Sequence, residues 1–215
     1  MDTAHAPEGA PDPTPDARIS DLLALAVERA APVVRALPDD RLGDPTPCAD
    51  YDVRALANHL FHVVVQFQEL AAKRNSDFSV TPDHLAGSGD AWRERFLDEA
   101  GKLVAAWGEP GADEGTTGAM DMPARTVGCM VLLDLTVHAW DLARATGQEY
   151  RPGERGGAGD PVVARLTEAV AGMAPTARKM GVFGEAVPLR DEDGATAFER
   201  LLATTGRDPY WGRDR

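Results

Sequence analysis

The sequence predicts an all-α bundle. Six segments repeat apolar residues at helical spacing, alternating strand patterns are scarce, and the linkers between segments are rich in Gly, Pro and acid. Residues 1–16, MDTAHAPEGAPDPTPD, lack apolar content and read as a disordered tail, leaving 17–215 as the folded domain.

The first helix begins near Ile19, with Leu22, Leu23, Ala26, Val27 and Ala30 on one face, and Pro32 either kinks or restarts it. Turn signals fill 38–51, notably Pro45-Thr46-Pro47. Asp52 is a plausible N-cap for a second helix, VRALANHLFHVVVQFQELAAKR, running to Arg74. A loop with Pro82, Gly87 and Gly89 leads to a third helix from Asp90 to Trp107, and 108–123 reads as irregular. The fourth helix runs from Thr126 to Thr146 and stops at Gly147. After a Gly-rich link, a fifth covers Pro161 to Met180, and ATAFERLLATTG near the C-terminus gives a short sixth.

The 215 residues suit one domain, and 43% hydrophobic content supports a core that is mostly Ala, Leu and Val, because aromatics reach only 6%. A formal net charge of -13 repels phosphate backbones and anionic lipid, so nucleic acid and membrane are not expected as partners. No apolar run approaches the ~20 residues of a span, and the N-terminus does not read as a secretory signal. Two cysteines, Cys48 and Cys129, with no CxxC, fit a reducing cytoplasm. Walker, nucleophile-elbow and dinucleotide fingerprints are missing. A monomer and a homodimer are both compatible with these features.

The fourth helix carries the chemistry. Its core, VGCMVLLDLTVHAWDLA, is apolar nearly all round, so it should be buried, yet Asp134, His138 and Asp141 fall at i, i+4 and i+7 on one face. One turn, ~6 Å along the axis, separates Asp134 from His138, which lets a carboxylate and an imidazole grip one ion. A solvent face is the competing reading, but this stripe is narrow and closely flanked by Met130 and Val131. On the second helix His59, His62, Gln66 and Glu69 form a similar stripe beside Leu56, Leu60 and Val63. A lone His in such a place is more often a hydrogen-bonded core residue; two on one face favour a site.

If the helices face each other, His59, Asp134 and His138 make a three-ligand set that leaves a position for water or substrate. Two imidazoles and a carboxylate suit a divalent ion, zinc first, with nickel, iron or cobalt as alternatives. His62 reads as a fourth ligand, a proton carrier or a neighbour in the pocket, and Asp141 as a group that orients His138 or moves protons. Cys48 reads as a small residue in a turn, Cys129 and Trp140 as packing, and His84 as a loop residue able to reach a pocket mouth.

The segments TPCADYDVRALANHL, RTVGCMVLLDLTVHAWDLARATG and LLATTGRDP resemble an actinobacterial metal-binding family. That family is related to the N-terminal domain of mycothiol-dependent maleylpyruvate isomerase, within the DinB-like superfamily. The resemblance spans about Ile19 to Pro209 and is most specific at H-x-W-D-L-A-x-x-x-G. It implies a DinB-like four-helix bundle with additional C-terminal helices, and it implies the same ligands: His59, Asp134 and His138. The isomerase's acid is Glu, and the shorter Asp134 requires a closer helix or an intervening water. His62 stands where relatives more often carry a small or apolar residue. Too little chain follows residue 160 for the isomerase's separate C-terminal domain.

By the resemblance, the expected function is a metal-dependent enzyme acting on a small molecule, with a low-molecular-weight thiol of the mycothiol type as cosubstrate in isomerisation or S-transfer. The alternative is a non-catalytic bundle whose polar pocket anchors a hydrophobic ligand. A weaker third reading is a redox sensor using Cys48 or Cys129.

Overall fold

In the computed structural model, residues 17–87, 89–152 and 159–212 are described. The tail expected over 1–16 lies outside them. Helix α1 spans Ile19–Arg35 and passes through Pro32 without a break. Helix α2 spans Val53–Ala71, where the Asp52 carboxylate accepts from the Ala55 amide as an N-cap worth about 1 kcal/mol. Helix α3 is Ala91–Gly108, α4 Ala124–Thr146, α5 Pro161–Lys179 and α6 Ala197–Thr204. The all-α class expected from the sequence is the class observed.

A new element and the early end of α2 are the main differences from expectation, and they share a cause. The stretch read as irregular holds a small hairpin, β1 (Thr116–Thr117) against β2 (Met122–Pro123). This hairpin closes the end of α2: the Thr117 hydroxyl donates to the Leu70 carbonyl at 2.6 Å, and Lys73 Nζ donates to the carbonyls of Ala112 and Glu114. Lys73 takes a left-handed conformation (φ 61°), so α2 stops at Ala71 although Lys73 and Arg74 favour helix.

In the four-helix bundle, α1 and α2 each pack against both α3 and α4, so they lie diagonally across the core. Helices α5 and α6 pack on each other, and α5 also rests on α4 and α1. Helix α4 therefore has neighbours almost all round, which explains its continuous apolar sequence. By length and composition it could cross a bilayer, but 83% of its apolar window is buried inside the protein. Leu132, Leu135 and Leu142 are fully buried there, each contributing roughly 1.5–3 kcal/mol. Gly128 lets α4 approach closely, since a Cβ would meet Ile19 at 2.8 Å and Trp107 at 3.1 Å.

Candidate metal centre and adjoining cavity

His138 projects from the middle of α4 and is only 6% exposed. Its Nδ1 lies 3.0 Å from Asp141 Oδ2, one turn on, and Asp141 is fully buried. A carboxylate only accepts, so Nδ1 carries a hydrogen, and in the neutral ring Nε2 keeps the lone pair. That Nε2 faces Asp134 Oδ1 at 3.8 Å. The His59 ring, from α2, meets the His138 ring edge-on with centroids 5.3 Å apart. The facing of the two polar stripes, expected if α2 and α4 pack together, thus brings His59, Asp134 and His138 around one cavity.

The cavity holds about 270 Å³ and is also lined by Cys48, Tyr51, Leu133, Val137, Phe183 and Arg207. Tyr51 stacks on the His59 ring, centroids 5.1 Å apart. The turn that carries Cys48 and Tyr51 is fixed by the Thr46 hydroxyl, which lies 2.9 and 2.8 Å from the Cys48 and Tyr51 carbonyls and accepts from the Cys48 amide.

Electrostatics favour a neutral imidazole at His59. Burial, then the fields of His138, His62 and Arg207, hold His59 down to about 4. Burial pushes the Asp134 carboxyl up, against the pull of His138 and Arg207, although its side chain keeps 32% of its surface towards the opening. Burial also raises the Cys48 thiol, and the Arg207 guanidinium works the other way.

Arg207 was not singled out in the sequence. It follows α6, and its Nη2 lies 3.5 Å from both Asp141 Oδ2 and Cys48 Sγ. Two glycines put it there. Gly206 ends α6 with φ 87°, and its Cα packs on the backbone of Gly184, where a Cβ would meet atoms at 2.8–3.0 Å. The Gly-Arg pair just past a helix end was the available sequence signal. Cys48, read as a turn residue, stands in the cavity wall.

Two donor sets therefore share His138. Among the described residues, Cys48, His138 and Asp141 are the one trio whose ligand atoms all lie within 4.8 Å of one another. Arg207 already supplies a positive charge to Cys48 and Asp141, and the His138 atom facing Asp141 is protonated, so this trio is poor ground for a cation. His59, Asp134 and His138 offer two imidazoles and a carboxylate, a fitting set for a borderline ion, but the three together must draw closer to share one. Asp141 then takes the place behind His138 that orients a ligating imidazole.

The structure does not bring His62 to this cavity. His62 is 3% exposed and turns away from the cavity, its Nδ1 against His84 Nε2 and its Nε2 against the Asp77 carbonyl.

A family model described as the mycothiol maleylpyruvate isomerase N-terminal domain matches residues 23–143. The fold resembles the crystal structure of a histidine-to-alanine mutant of the mycothiol-dependent maleylpyruvate isomerase, with a TM-score of 0.54 and 17% identity. That likeness covers 88% of this chain and 80% of the other, so it extends past residue 143. No curated protein matches the chain.

Proposed function

From the premise that this chain belongs to the mycothiol maleylpyruvate isomerase N-terminal domain family, we propose that it is a metal-dependent enzyme joining a small-molecule substrate to a low-molecular-weight thiol, as an isomerase or S-transferase. One observation carries this reading: the Asp141 bond fixes the His138 tautomer, so an imidazole lone pair is offered to a cavity that also holds Asp134 and a neutral His59.

His59, Asp134 and His138 would hold the ion, zinc being the first choice for these donors. A bound divalent ion supplies the charge that keeps a thiol deprotonated at neutral pH. The remaining work belongs to the protein. Arg207, 12% exposed and at the cavity wall, attracts an anionic group of the substrate or thiol. Leu133, Val137 and Phe183 exclude water beside it. Asp141 is sealed from the cavity and acts through His138 as a positioning residue, not by exchanging protons with substrate. The role expected of His62, moving protons in the pocket, does not follow from its position. A cytoplasmic setting, with both cysteines unpaired, and a monomer or homodimer complete the reading.

The spacing of the three donors favours a second reading, a non-catalytic bundle that anchors a hydrophobic ligand in the same cavity. Elemental analysis of tag-free protein separates the two. Stoichiometric metal, lost in His138→Ala, supports the enzyme, and turnover that depends on added thiol supports the thiol chemistry. Metal-free protein that still binds small ligands supports the bundle. Metal retained without His138 refutes the ligand set.

A further inference from the structure

Away from the cavity, residues 74–86 form a strap across α2 that is held by a pair of histidines, His62 buried and His84 half-buried. The strap is tied at several points. The Asp77 amide donates to Gln66 Oε1 and the His84 amide to Asn58 Oδ1, each at 2.7 Å. Phe78 packs edge-on against His62, and His84 stacks on Phe61. At the centre, His62 Nε2 lies 3.1 Å from the Asp77 carbonyl and His62 Nδ1 lies 3.2 Å from His84 Nε2.

The hydrogens of this pair can be counted. The Asp77 carbonyl only accepts, so His62 Nε2 carries a hydrogen. In the neutral pair His62 Nδ1 must then accept, and His84 Nε2–H donates. One added proton, on His84 Nδ1 or on His62 Nδ1 with the His84 hydrogen moved to its Nδ1, still leaves a single hydrogen in the 3.2 Å gap. A second proton places N–H groups on both sides of the gap and two cations in contact. We propose that His62 and His84 form a proton-counting latch, which keeps the strap closed with one added proton and releases it on the second.

The surroundings make the second proton a distinct event. Around the pair, Arg95 and Glu99 from α3 and Asp83 of the strap, itself paired with Arg54 of α2, act on His84, and His59 of α2 feels His62. Asp77, whose carboxylate is engaged by Ser79, also feels His62. Burial, then His62 and Arg95, hold His84 below its ordinary value, while Asp83 and Glu99 pull it up. The closed strap is therefore favoured by deprotonation and lost as pH falls, before the carboxylates titrate. Asp83 and Asp77 are themselves held below the usual carboxylate range.

Amide hydrogen exchange at Asp77 and His84, corrected for the intrinsic pH dependence and run beside imidazole ¹⁵N spectra, tests this. Protection should fall about tenfold or more between pH ~6.5 and ~4, after the spectra show one ring protonated. His84→Gln, whose amide donates to His62 but takes no proton, should keep the strap protected across that window. His62→Gln should do the same, should the first variant fold poorly. Unchanged protection in the wild type, or an equal loss in either folded variant, overturns the latch.

Discussion

His138 Nδ1 and Asp141 Oδ2 meet at 3.0 Å on one buried face of α4, and this bond decides which nitrogen of His138 is free to bind. Replacing Asp141 with Asn keeps an acceptor oxygen but removes the charge that makes the imidazole a strong donor. The amide can also flip and offer N–H, which reverses the tautomer. Asp141→Asn should therefore weaken metal binding by roughly 10–100-fold without removing a ligand. Chelator competition on folded protein measures it, and an affinity equal to the wild type would show that Asp141 does not act through His138.

Asp134 makes a separate prediction. Its Oδ1 stands 3.8 Å from His138 Nε2, slightly wider than the ~3.4 Å that separates two donors on a tetrahedral ion. Asp134→Glu extends the carboxylate by one methylene and should bind metal at least as tightly as the wild type. Asp134→Asn should lose more than the ~100-fold that marks the upper end for groups behind the ligands. Because burial raises the Asp134 carboxyl, wild-type affinity should also weaken as pH falls through that raised value. Zinc titration across pH, with the Glu variant alongside, reports both effects.

The pH dependence of stability turns on His59. In the folded protein its imidazole is held down to about 4, against ~6.5 in an unfolded chain. Between these values the unfolded chain binds a proton that the folded protein refuses. The stability is therefore fully present above pH ~6.5 and is lost as pH falls towards 4. Metal-stripped protein should lose more stability between pH 7 and pH 5 than His59→Asn does, as read by urea unfolding. Equal losses would place the acid sensitivity elsewhere.

The sequence made half of this site legible, and the reason is geometric. Asp134 and His138 are one helical turn apart, so their shared face follows from the 3.6-residue period. The same rule misleads on α2. Residues three apart diverge by ~60° around the axis, enough for His59 to face the cavity while His62 faces the strap. Arg207 reaches Asp141 from 66 positions away in the chain, through a contact between Gly184 and Gly206 that no local periodicity encodes. The hairpin of β1 and β2 has only two residues per strand, too few to show alternation.

The contact between Gly184 and Gly206 can be tested directly. Gly206→Ala introduces a methyl into backbone atoms at 2.8–3.0 Å and forces a non-glycine residue to φ 87°. Both effects destabilise, together by about 1–3 kcal/mol. Urea unfolding should show that loss. If Gly206 positions Arg207, the variant should also bind anionic ligands of the cavity more weakly, even under conditions where it is fully folded. A loss of stability with unchanged anion affinity would separate the turn from the site.

Cys48 and Cys129 provide an internal comparison of thiol reactivity. Cys48 is half-buried at the cavity wall beside Arg207, whereas Cys129 is 4% exposed in the core. Burial raises both thiols, so neither reacts quickly at neutral pH. Access then decides the order, and a small alkylating reagent should modify Cys48 first, faster as pH rises. Zinc added to the adjoining cavity should slow this labelling. In Arg207→Met, loss of the guanidinium should lower the Cys48 rate further at neutral pH, because the thiolate loses its nearest cation. Mass spectrometry of alkylated peptides follows each site. Preferential labelling of Cys129, or a Cys48 rate indifferent to Arg207, would show that the 3.5 Å contact between Arg207 and the sulfur does not govern the thiol.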